Sequence, residues 1–339
     1  MNFKKLIEWS KREYSHLPWR KDRSLYTTLV SEIMLQQTTV ATVMKKFKPF
    51  LERFPTVHDL AQASEDEVCI EWKGLGYYRR ARSLRSAAIA IHKNCGGEFP
   101  SEREELKKLP GIGDYTSSAL VAIGMDQPEI AVDANIERVL SRLFGLGEFK
   151  GLKLQQRVRE LYFEESLINN EFSPRDFNEA LMDLGRVFCQ ARSADCLNCP
   201  LSRDCIARIS GDPTAFPRLD ENISKEKEKH SITLVRVVDT DSIGRVAGIE
   251  RRVDEWLAGQ IDLPTFTLES SEENFGRYPI WKGELPKELM RLKSTITKYT
   301  FQNIVVSTAT KDFDFYELDE KAVNFSSVSL KILRKLGMV

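Results

Sequence analysis

Four cysteines close together in the sequence have the spacing of a metal site. They follow a C-x6-C-x2-C-x5-C pattern, formed by Cys189, Cys196, Cys199 and Cys205. Four thiolates within so short a segment can enclose a small metal centre, and tetrahedral sulfur ligation suits an iron–sulfur cluster or zinc. Zinc sites more often use two C-x2-C pairs, whereas only one pair here is that close. The spacing therefore favours a [4Fe-4S] cluster and leaves zinc or unligated thiols as alternatives.

Two carboxylates in apolar surroundings could perform acid–base chemistry. Glu32 is the only acid between Asp22 and Glu52, and Asp133 follows the apolar run IAV. A desolvated carboxyl has a raised pKa and can donate a proton near neutral pH. A second carboxylate can stabilise an oxocarbenium ion, as in glycoside cleavage. The simpler interpretations are a solvated helix residue for Glu32 and a helix N-cap alone for Asp133.

A glycine-containing turn between two predicted helices is typical of a phosphate site. The segment 101–125 predicts a helix that begins at a capping box of Ser101 and Glu104, then a turn, then a second helix. Gly111 and Gly113 would bring backbone N–H groups at the second helix start close to one phosphate. Such a hairpin contacts the DNA backbone without reading sequence. An ordinary helix–helix corner is the alternative.

Polar and aromatic side chains near two turns could replace a base that leaves the DNA stack. Cleavage of a base from its sugar requires the nucleotide to be extruded, and a protein group must fill the gap. Gln36 and Gln37 are a candidate polar wedge. Tyr77 and Tyr78 follow a Gly-x-Gly turn and precede Arg79 and Arg80, so we expect at least one ring at the surface.

The elements that must position these residues are mostly helices. Apolar residues at three- and four-residue spacing predict helices over 25–36, 39–53, 76–94, 113–125, 133–144 and 176–188. The pattern changes after a densely charged segment, 209–229, which predicts a linker. Beyond it, β-branched residues predict strands over 231–239 and 296–307, and the end, 327–337, predicts a helix closed by Gly337.

Length and composition exclude several classes of protein. The chain of 339 residues is long enough for two domains, and 42% hydrophobic residues can form real cores. No apolar run approaches the length of a membrane span, and the N-terminus does not have the pattern of a signal peptide. The net charge of zero argues against a general polyanion binder. Clustered cysteines favour a reducing compartment.

Four sequence signatures, in the order in which they occur along the chain, resemble those of the helix-hairpin-helix DNA glycosylases that carry a [4Fe-4S] loop. The signatures are SEIMLQQT, GLGYYRRAR, LPGIGDYT followed by VDAN, and the cysteine loop, and they are most similar to adenine DNA glycosylases of the MutY type. The resemblance implies an all-α helix-hairpin-helix region with the cluster and a small α+β, Nudix-like C-terminal domain. Its boundaries would be 24–127 for the hairpin subdomain, 1–23 with 128–208 for the iron–sulfur subdomain, 209–229 for the linker and 230–339 for the second domain.

The resemblance also implies a role for each matching residue. Glu32 matches the general acid that protonates adenine, and Asp133 the carboxylate that stabilises the cationic sugar. Tyr115 and Asn135 match supporting residues of the same pocket. The implied DNA contacts in this region are Arg20, Leu35, Gln36, Gln37, Tyr77, Arg79, Gly111 and Gly113, and the implied cluster ligands are the four loop cysteines.

Tyr115 predicts that the enzyme removes the base without cutting the strand. The related endonuclease III enzymes carry a catalytic lysine at this position, two residues after the last glycine of the hairpin. A Schiff base needs an amine nucleophile, which a tyrosine does not provide. The resemblance thus implies a monofunctional glycosylase that acts on adenine opposite 8-oxoguanine or guanine in double-stranded DNA and leaves an abasic site.

The remaining expectations concern the second domain, the compartment and the alternatives. Phe301, Gln302 and Asn303 are the best match to a family strand motif that contacts 8-oxoguanine, and a scaffold strand is the alternative. No Nudix hydrolase signature is present, so we expect no pyrophosphatase activity. We expect a monomer without membrane contact, in the bacterial cytoplasm at the nucleoid or in a eukaryotic nucleus or mitochondrion. A thymine or uracil mismatch glycosylase and a non-catalytic lesion-binding protein remain alternatives.

Overall fold

The chain forms two compact units. The structure is a computed structural model and describes residues 1–164, 172–219, 230–252, 255–257, 259–296, 298–310, 312–319 and 323–339. The first unit comprises Met1–Ala63 with Leu75–Lys225, and the second comprises Ser64–Gly74 with Glu226–Val339. The helical pattern of the sequence did not indicate that Ser64–Gly74 groups with the C-terminal unit. The predicted linker, 209–229, lies partly outside the described residues.

The first unit is helical, as the periodicity predicts. Its helices are α1 (Phe3–Tyr14), α2 (Leu25–Leu35), α3 (Val40–Arg53), α4 (Val57–Gln62), α6 (Arg79–Asn94), α7 (Arg103–Leu106), α8 (Asp114–Ala119), α9 (Ala134–Phe144), α10 (Leu152–Glu164), α11 (Pro174–Val187) and α12 (Ile206–Ile209). A π-helical turn, Leu120–Gly124, continues α8. No helix in the described ranges is long and apolar enough to cross a membrane.

Two packing arrangements position the site. Helices α1, α9, α10 and α11 share an apolar core that includes Leu6, Leu140, Val158 and Leu181. Helix α2 is buried on nearly all sides, and only its first and last residues escape burial. A helix that is apolar all round is a central helix. A carboxylate on α2 is therefore forced into the interior.

The hairpin forms, but its first helix begins differently from the prediction. Helix α7 starts at Arg103 with Glu102 as N-cap and no side-chain cap hydrogen bond, so the predicted capping box of Ser101 and Glu104 is wrong. Gly111 has a φ of +75°, and an added Cβ would lie 2.5 Å from Ser83 Cβ. A side chain at this position would thus meet both backbone strain and a steric clash.

The second unit combines sheets with helices. Its described residues form α5 (Glu65–Glu71), α13 (Ser327–Lys335) and seven strands. The strands are β1 (His230–Val238), β2 (Val246–Glu250), β3 (Ile261–Asp262), β4 (Thr265–Ser270), β5 (Glu288–Ile296), β6 (Tyr299–Ser307) and β7 (Asp314–Tyr316). A four-stranded sheet has the order β4-β1-β6-β5, in which β1 and β6 are parallel, and a three-stranded sheet has the order β3-β2-β7. The sequence predicts a single strand over 296–307. In the structure, residue 296 is the last residue of β5, and β6 begins only at Tyr299.

Candidate active site

A cavity of about 950 Å³ in the first unit brings together all of the predicted catalytic residues and several of the predicted DNA contacts. Its walls come from α2 and the turn after it, from the start of α9 and from α11. The sequence-predicted residues that line it are Arg20, Glu32, Leu35, Gln36, Gln37, Tyr115, Asp133 and Asn135. Segments far apart in the sequence therefore converge on one space large enough for a purine.

Glu32 is the buried acid of this cavity. Its side chain is on α2 and the residue is only 6% exposed. The Tyr115 hydroxyl donates a hydrogen bond of 2.5 Å to Glu32 Oε2. Burial raises the pKa of Glu32 to about 7, although the hydrogen bond from Tyr115 opposes the shift. Glu32 is thus a carboxyl that holds or releases a proton near neutral pH.

Asp133 is held at the N-terminus of α9. Its Oδ1 accepts hydrogen bonds from the backbone N–H groups of Asn135 at 2.9 Å and Ile136 at 2.7 Å, which makes it the N-cap. Its Oδ2 accepts from Asn135 Nδ2 at 2.7 Å. Burial raises the pKa of Asp133, and these three donors oppose the shift because they favour the charged form. The residue is an N-cap and also faces the cavity.

A hydrogen-bonded chain leads from Asp133 to the cysteine loop. Arg138 Nη2 donates to Asn135 Oδ1 at 2.8 Å, and Arg138 Nε donates to the Cys189 carbonyl at 2.7 Å. Gly185 on α11 makes this possible, because an added Cβ there would lie 2.6 Å from Asn135 Cβ. Sequence reasoning missed both residues. Arg138 lies one helical turn after Asn135, and Gly185 interrupts a helical pattern, so each had a weak signal.

Two further carboxylates, Glu179 and Asp183, and two arginines, Arg20 and Arg186, complete the cavity lining. Arg20 Nη1 donates to Asp183 Oδ2 at 2.9 Å, and Arg20 Nε lies 3.3 Å from Glu179 Oε2. Burial raises the pKa of Glu179, while Arg20 and Arg23 oppose the shift. The cavity wall is therefore acidic overall, and its buried cation is held in place by two acids from α11.

The turns that follow α2 and precede α6 carry backbone strain. Gln37 and Tyr77 have positive φ values of 54° and 48°, a region that residues with a side chain rarely adopt. Such a conformation costs on the order of 1 kcal/mol and persists only where surrounding contacts hold it. Tyr77 is 58% exposed, and Gln37 and Arg79 are also exposed. Three predicted DNA contacts thus present their side chains to solvent.

The cysteine loop is organised around a buried arginine. Arg142 donates to Cys189 Sγ at 3.3 Å and to the backbone carbonyls of Gln190, Ala191 and Phe216. All four loop thiols are free. Burial, together with the other three loop cysteines, raises the pKa of Cys199 to about 11. In the part of the chain that the structure describes, no three His, Cys, Asp or Glu side chains form a ready-made metal site.

The predicted contact residues on β6 are mostly turned inward. Phe301 is 2% exposed within an aromatic cluster. Asn303 is fully buried and accepts a hydrogen bond from Arg236 Nε at 2.7 Å. Of the three predicted residues, only Gln302 is exposed, because neighbouring side chains in a strand point to opposite faces. As folded, Phe301 and Asn303 are part of the core of the second unit, and a contact of either residue with a base stays a prediction.

Comparison with known proteins relates the helical unit to DNA repair. Residues 30–163 match the model of the HhH-GPD superfamily of base excision DNA repair proteins. Adenine DNA glycosylase of Homo sapiens is 38% identical over 354 residues, which covers 88% of this chain and 64% of that protein. Adenine DNA glycosylase of Buchnera aphidicola subsp. Schizaphis graminum is 37% identical over 193 residues, which covers 57% of this chain and 55% of that protein.

The fold comparison agrees with the sequence comparison. The solved structure of a thermostable thymine-DNA glycosylase superposes with a TM-score of 0.55 at 29% identity, and covers 61% of this chain and 95% of that one. The helical glycosylase fold expected from the sequence is thereby confirmed. This chain spans less than two thirds of the length of the two adenine DNA glycosylases.

Proposed function

We propose that the chain, whose residues 30–163 match the model of the HhH-GPD superfamily of base excision DNA repair proteins, is an adenine DNA glycosylase. Relatives with that name at 37–38% identity support the activity. The observation that carries the proposal is Glu32, a buried acid with a pKa of about 7 in the same cavity as Asp133. The substrate is adenine opposite 8-oxoguanine or guanine in double-stranded DNA.

The reaction follows from the placement of the two acids. Adenine is extruded into the cavity, and Glu32 transfers its proton to the ring, so that the base leaves as a neutral molecule. The bond between C1′ and N9 breaks, and the Asp133 carboxylate stabilises the oxocarbenium-like sugar. Glu32, now charged, accepts a proton from the attacking water. The products are adenine and an abasic site, and Tyr115, which has no amine, leaves the strand intact.

The experiment that tests the activity uses labelled duplexes with one central pair. We expect adenine release opposite 8-oxoguanine and guanine, with strand cleavage only after hot alkali. Cleavage without alkali would contradict the monofunctional mechanism. Binding without any alkali-revealed product would instead indicate a catalytically silent lesion-binding protein.

A thymine mismatch glycosylase is the second candidate function. The similarity to a thymine-DNA glycosylase structure favours it, because 95% of that structure superposes on 61% of this chain. A duplex with thymine opposite guanine separates the two candidates. Release of thymine but not adenine would overturn the adenine assignment, whereas the reverse would support it.

The pH dependence of base release provides a test of Glu32. The pKa of Glu32 is raised to about 7, and the proton donor is the protonated form. The single-turnover rate should therefore fall about tenfold per pH unit as the pH rises above that value. Measurement at saturating protein separates chemistry from binding. A rate that stays constant or rises on the alkaline side would exclude Glu32 as the proton donor.

A [4Fe-4S] cluster is the cofactor that we propose for the cysteine loop. The donor set supports it: four free thiols on one loop, with Arg142 donating to Cys189 Sγ. Cys189, Cys196, Cys199 and Cys205 would hold the cluster, which would supply a rigid cross-link of the loop. The chain from Cys189 through Arg138 to Asn135 then makes the loop a support for Asp133.

Iron content tests this cofactor. Protein purified without oxygen should be brown and contain about four iron atoms per chain. Cys199→Ser should lose the colour and most of the iron, because a cluster needs its full set of thiolates. Cys95→Ser is the matched control, since Cys95 lies outside the loop, and it should retain both. About one zinc atom per chain in colourless protein would contradict the assignment.

The second unit is proposed to be a Nudix-like lesion-recognition domain. Its mixed sheet and terminal helix, with parallel β1 and β6, support an α+β domain of this kind. The domain would comprise residues 230–339, after a helical region, 1–208, and a linker, 209–229. Among Phe301, Gln302 and Asn303, the exposed residue is Gln302, from which a contact with the oxidised guanine would come.

A further inference from the structure

Arg80 joins the two strained turns of the first unit. It lies at the start of α6, and its guanidinium donates to two groups of acceptors. Nη1 donates to the carbonyls of Ile33 at 2.7 Å and Met34 at 3.0 Å, in the last turn of α2. Nη2 donates to Thr38 Oγ1 at 2.9 Å and to the carbonyls of Leu75 at 2.9 Å and Gly76 at 3.1 Å.

These acceptors directly flank Gln37 and Tyr77. Thr38 follows Gln37, and Gly76 precedes Tyr77, so one guanidinium holds the Thr38 side chain next to Gln37 and the Gly76 carbonyl next to Tyr77. Thr38 Oγ1 also donates to the Leu75 carbonyl at 3.3 Å, which links the turns a second time. The only residues other than glycine with positive φ among the described residues are Gln37, Tyr77, Asp126 and Leu257. Two of these four residues, Gln37 and Tyr77, are therefore each next to a residue that accepts a hydrogen bond from Arg80.

The chemistry of the contact requires an arginine. The last carbonyls of a helix attract a cation, and a planar fork of N–H donors reaches carbonyls on two segments at once. A lysine provides one point charge and does not span both groups. The Tyr77 ring also lies against the guanidinium, whose carbon is 5.6 Å from the ring centroid. The same side chain thus contacts the backbone before Tyr77 and the aromatic ring itself.

We propose that Arg80 is a positioning residue for base extrusion, which holds Gln37 and Tyr77 side by side so that both enter the duplex as adenine leaves it. The inference rests on the proposed glycosylase function. Strained residues bind well only while their backbone is held, because a relaxed turn would move each side chain away from the gap. Arg80 acts through these two residues and does not touch the reacting atoms.

The test compares substrates that differ in the cost of extrusion. An adenine opposite 8-oxoguanine must be unpaired, whereas an adenine opposite an abasic site is already unpaired and leaves the stack more easily. Arg80→Lys should slow single-turnover release from the first duplex by about 10²-fold and from the second by only about threefold. Arg85→Ala is the control: Arg85 is also on α6 and binds one carbonyl, that of Ala63, at 2.6 Å. Its two rates should keep the wild-type ratio.

Three outcomes decide between the explanations. Equal slowing on both duplexes, together with a lower melting temperature, would show a merely structural role and overturn the proposal. In a Tyr77→Gly background, Arg80→Lys should have little further effect on the ratio, and full additivity would also overturn it. Absence of adenine release by the wild-type protein would instead refute the proposed function. Fluorescence of 2-aminopurine in place of adenine, measured in a Glu32→Gln background, reports extrusion without chemistry and covers that case.

Discussion

Glu32→Gln is expected to slow adenine release by about 10³-fold or more while mispaired duplex still binds. Glutamine keeps the size of the side chain and accepts the Tyr115 hydroxyl, but it has no proton to give to the leaving base. Single-turnover release at saturating protein measures the effect, and a gel shift measures binding. Glu137→Gln is the matched control, because Glu137 is 1% exposed, its pKa is likewise raised by burial, and it does not line the cavity.

The same substitution should stabilise the fold. The folded-state pKa of Glu32 is about 7 against an ordinary 4.5, so the folded protein holds this proton more tightly than the unfolded chain. The stability that comes with the proton is fully present below about pH 4.5 and is lost as the pH rises through about 7. Above that value the charged Glu32 costs on the order of 3 kcal/mol, which glutamine avoids. Denaturant unfolding on both sides of neutrality measures the difference. Equal stability of both proteins in alkali, or normal adenine release by the variant, would refute the role of Glu32.

Asp133→Asn is expected to slow adenine release by about 10²–10³-fold with little change in folding. Asparagine is as good an N-cap as aspartate, so its oxygen still accepts from Asn135 and Ile136 at the start of α9. Its neutral side chain no longer stabilises a cationic sugar. Its amide NH2 takes the place of Asp133 Oδ2 and faces another donor, Asn135 Nδ2. Single-turnover release at several pH values measures the loss.

The control for Asp133→Asn is the same change at a cap outside the cavity. Asp212 accepts from the Thr214 backbone N–H at 2.8 Å, and Asp212→Asn should leave base release unchanged. A rate for Asp133→Asn within about fivefold of wild type would mean that Asp133 serves only as a helix cap. Substrate binding then would have to stabilise the sugar by other means.

The two acids of the site, Glu32 and Asp133, could be predicted from the sequence for a physical reason. Glu32 stands alone among apolar residues, and such a helix must be buried, so its carboxyl is buried with it. Asp133 precedes an amphipathic helix, where an aspartate caps by its local chemistry. The roles of Arg80, Arg138 and Arg142 could not be predicted in this way, because these arginines mostly donate to backbone carbonyls. Every residue has a carbonyl, so no sequence pattern marks the partner.

The second unit was harder to predict. Strand β5 alternates between charged and small or apolar residues at a sheet edge and is mostly exposed, so its hydrophobic signal is weak. Strand β6 pairs with strands on both sides, and a shift of one residue would exchange its two faces. Whether Gln302 or one of its neighbours is exposed therefore depends on how β6 pairs with β1 and β5. Local propensity does not determine that register.

Under the proposed function, the hydroxyl of Tyr115 determines the state of the DNA that the protein releases. The strand would depart unbroken, with a sugar that has lost its base and opens to a reactive aldehyde. Because this sugar carries no base for a polymerase to copy, a reaction that removes baseless sugars would have to follow. Slow release of the product by this protein would shield the aldehyde in the interval.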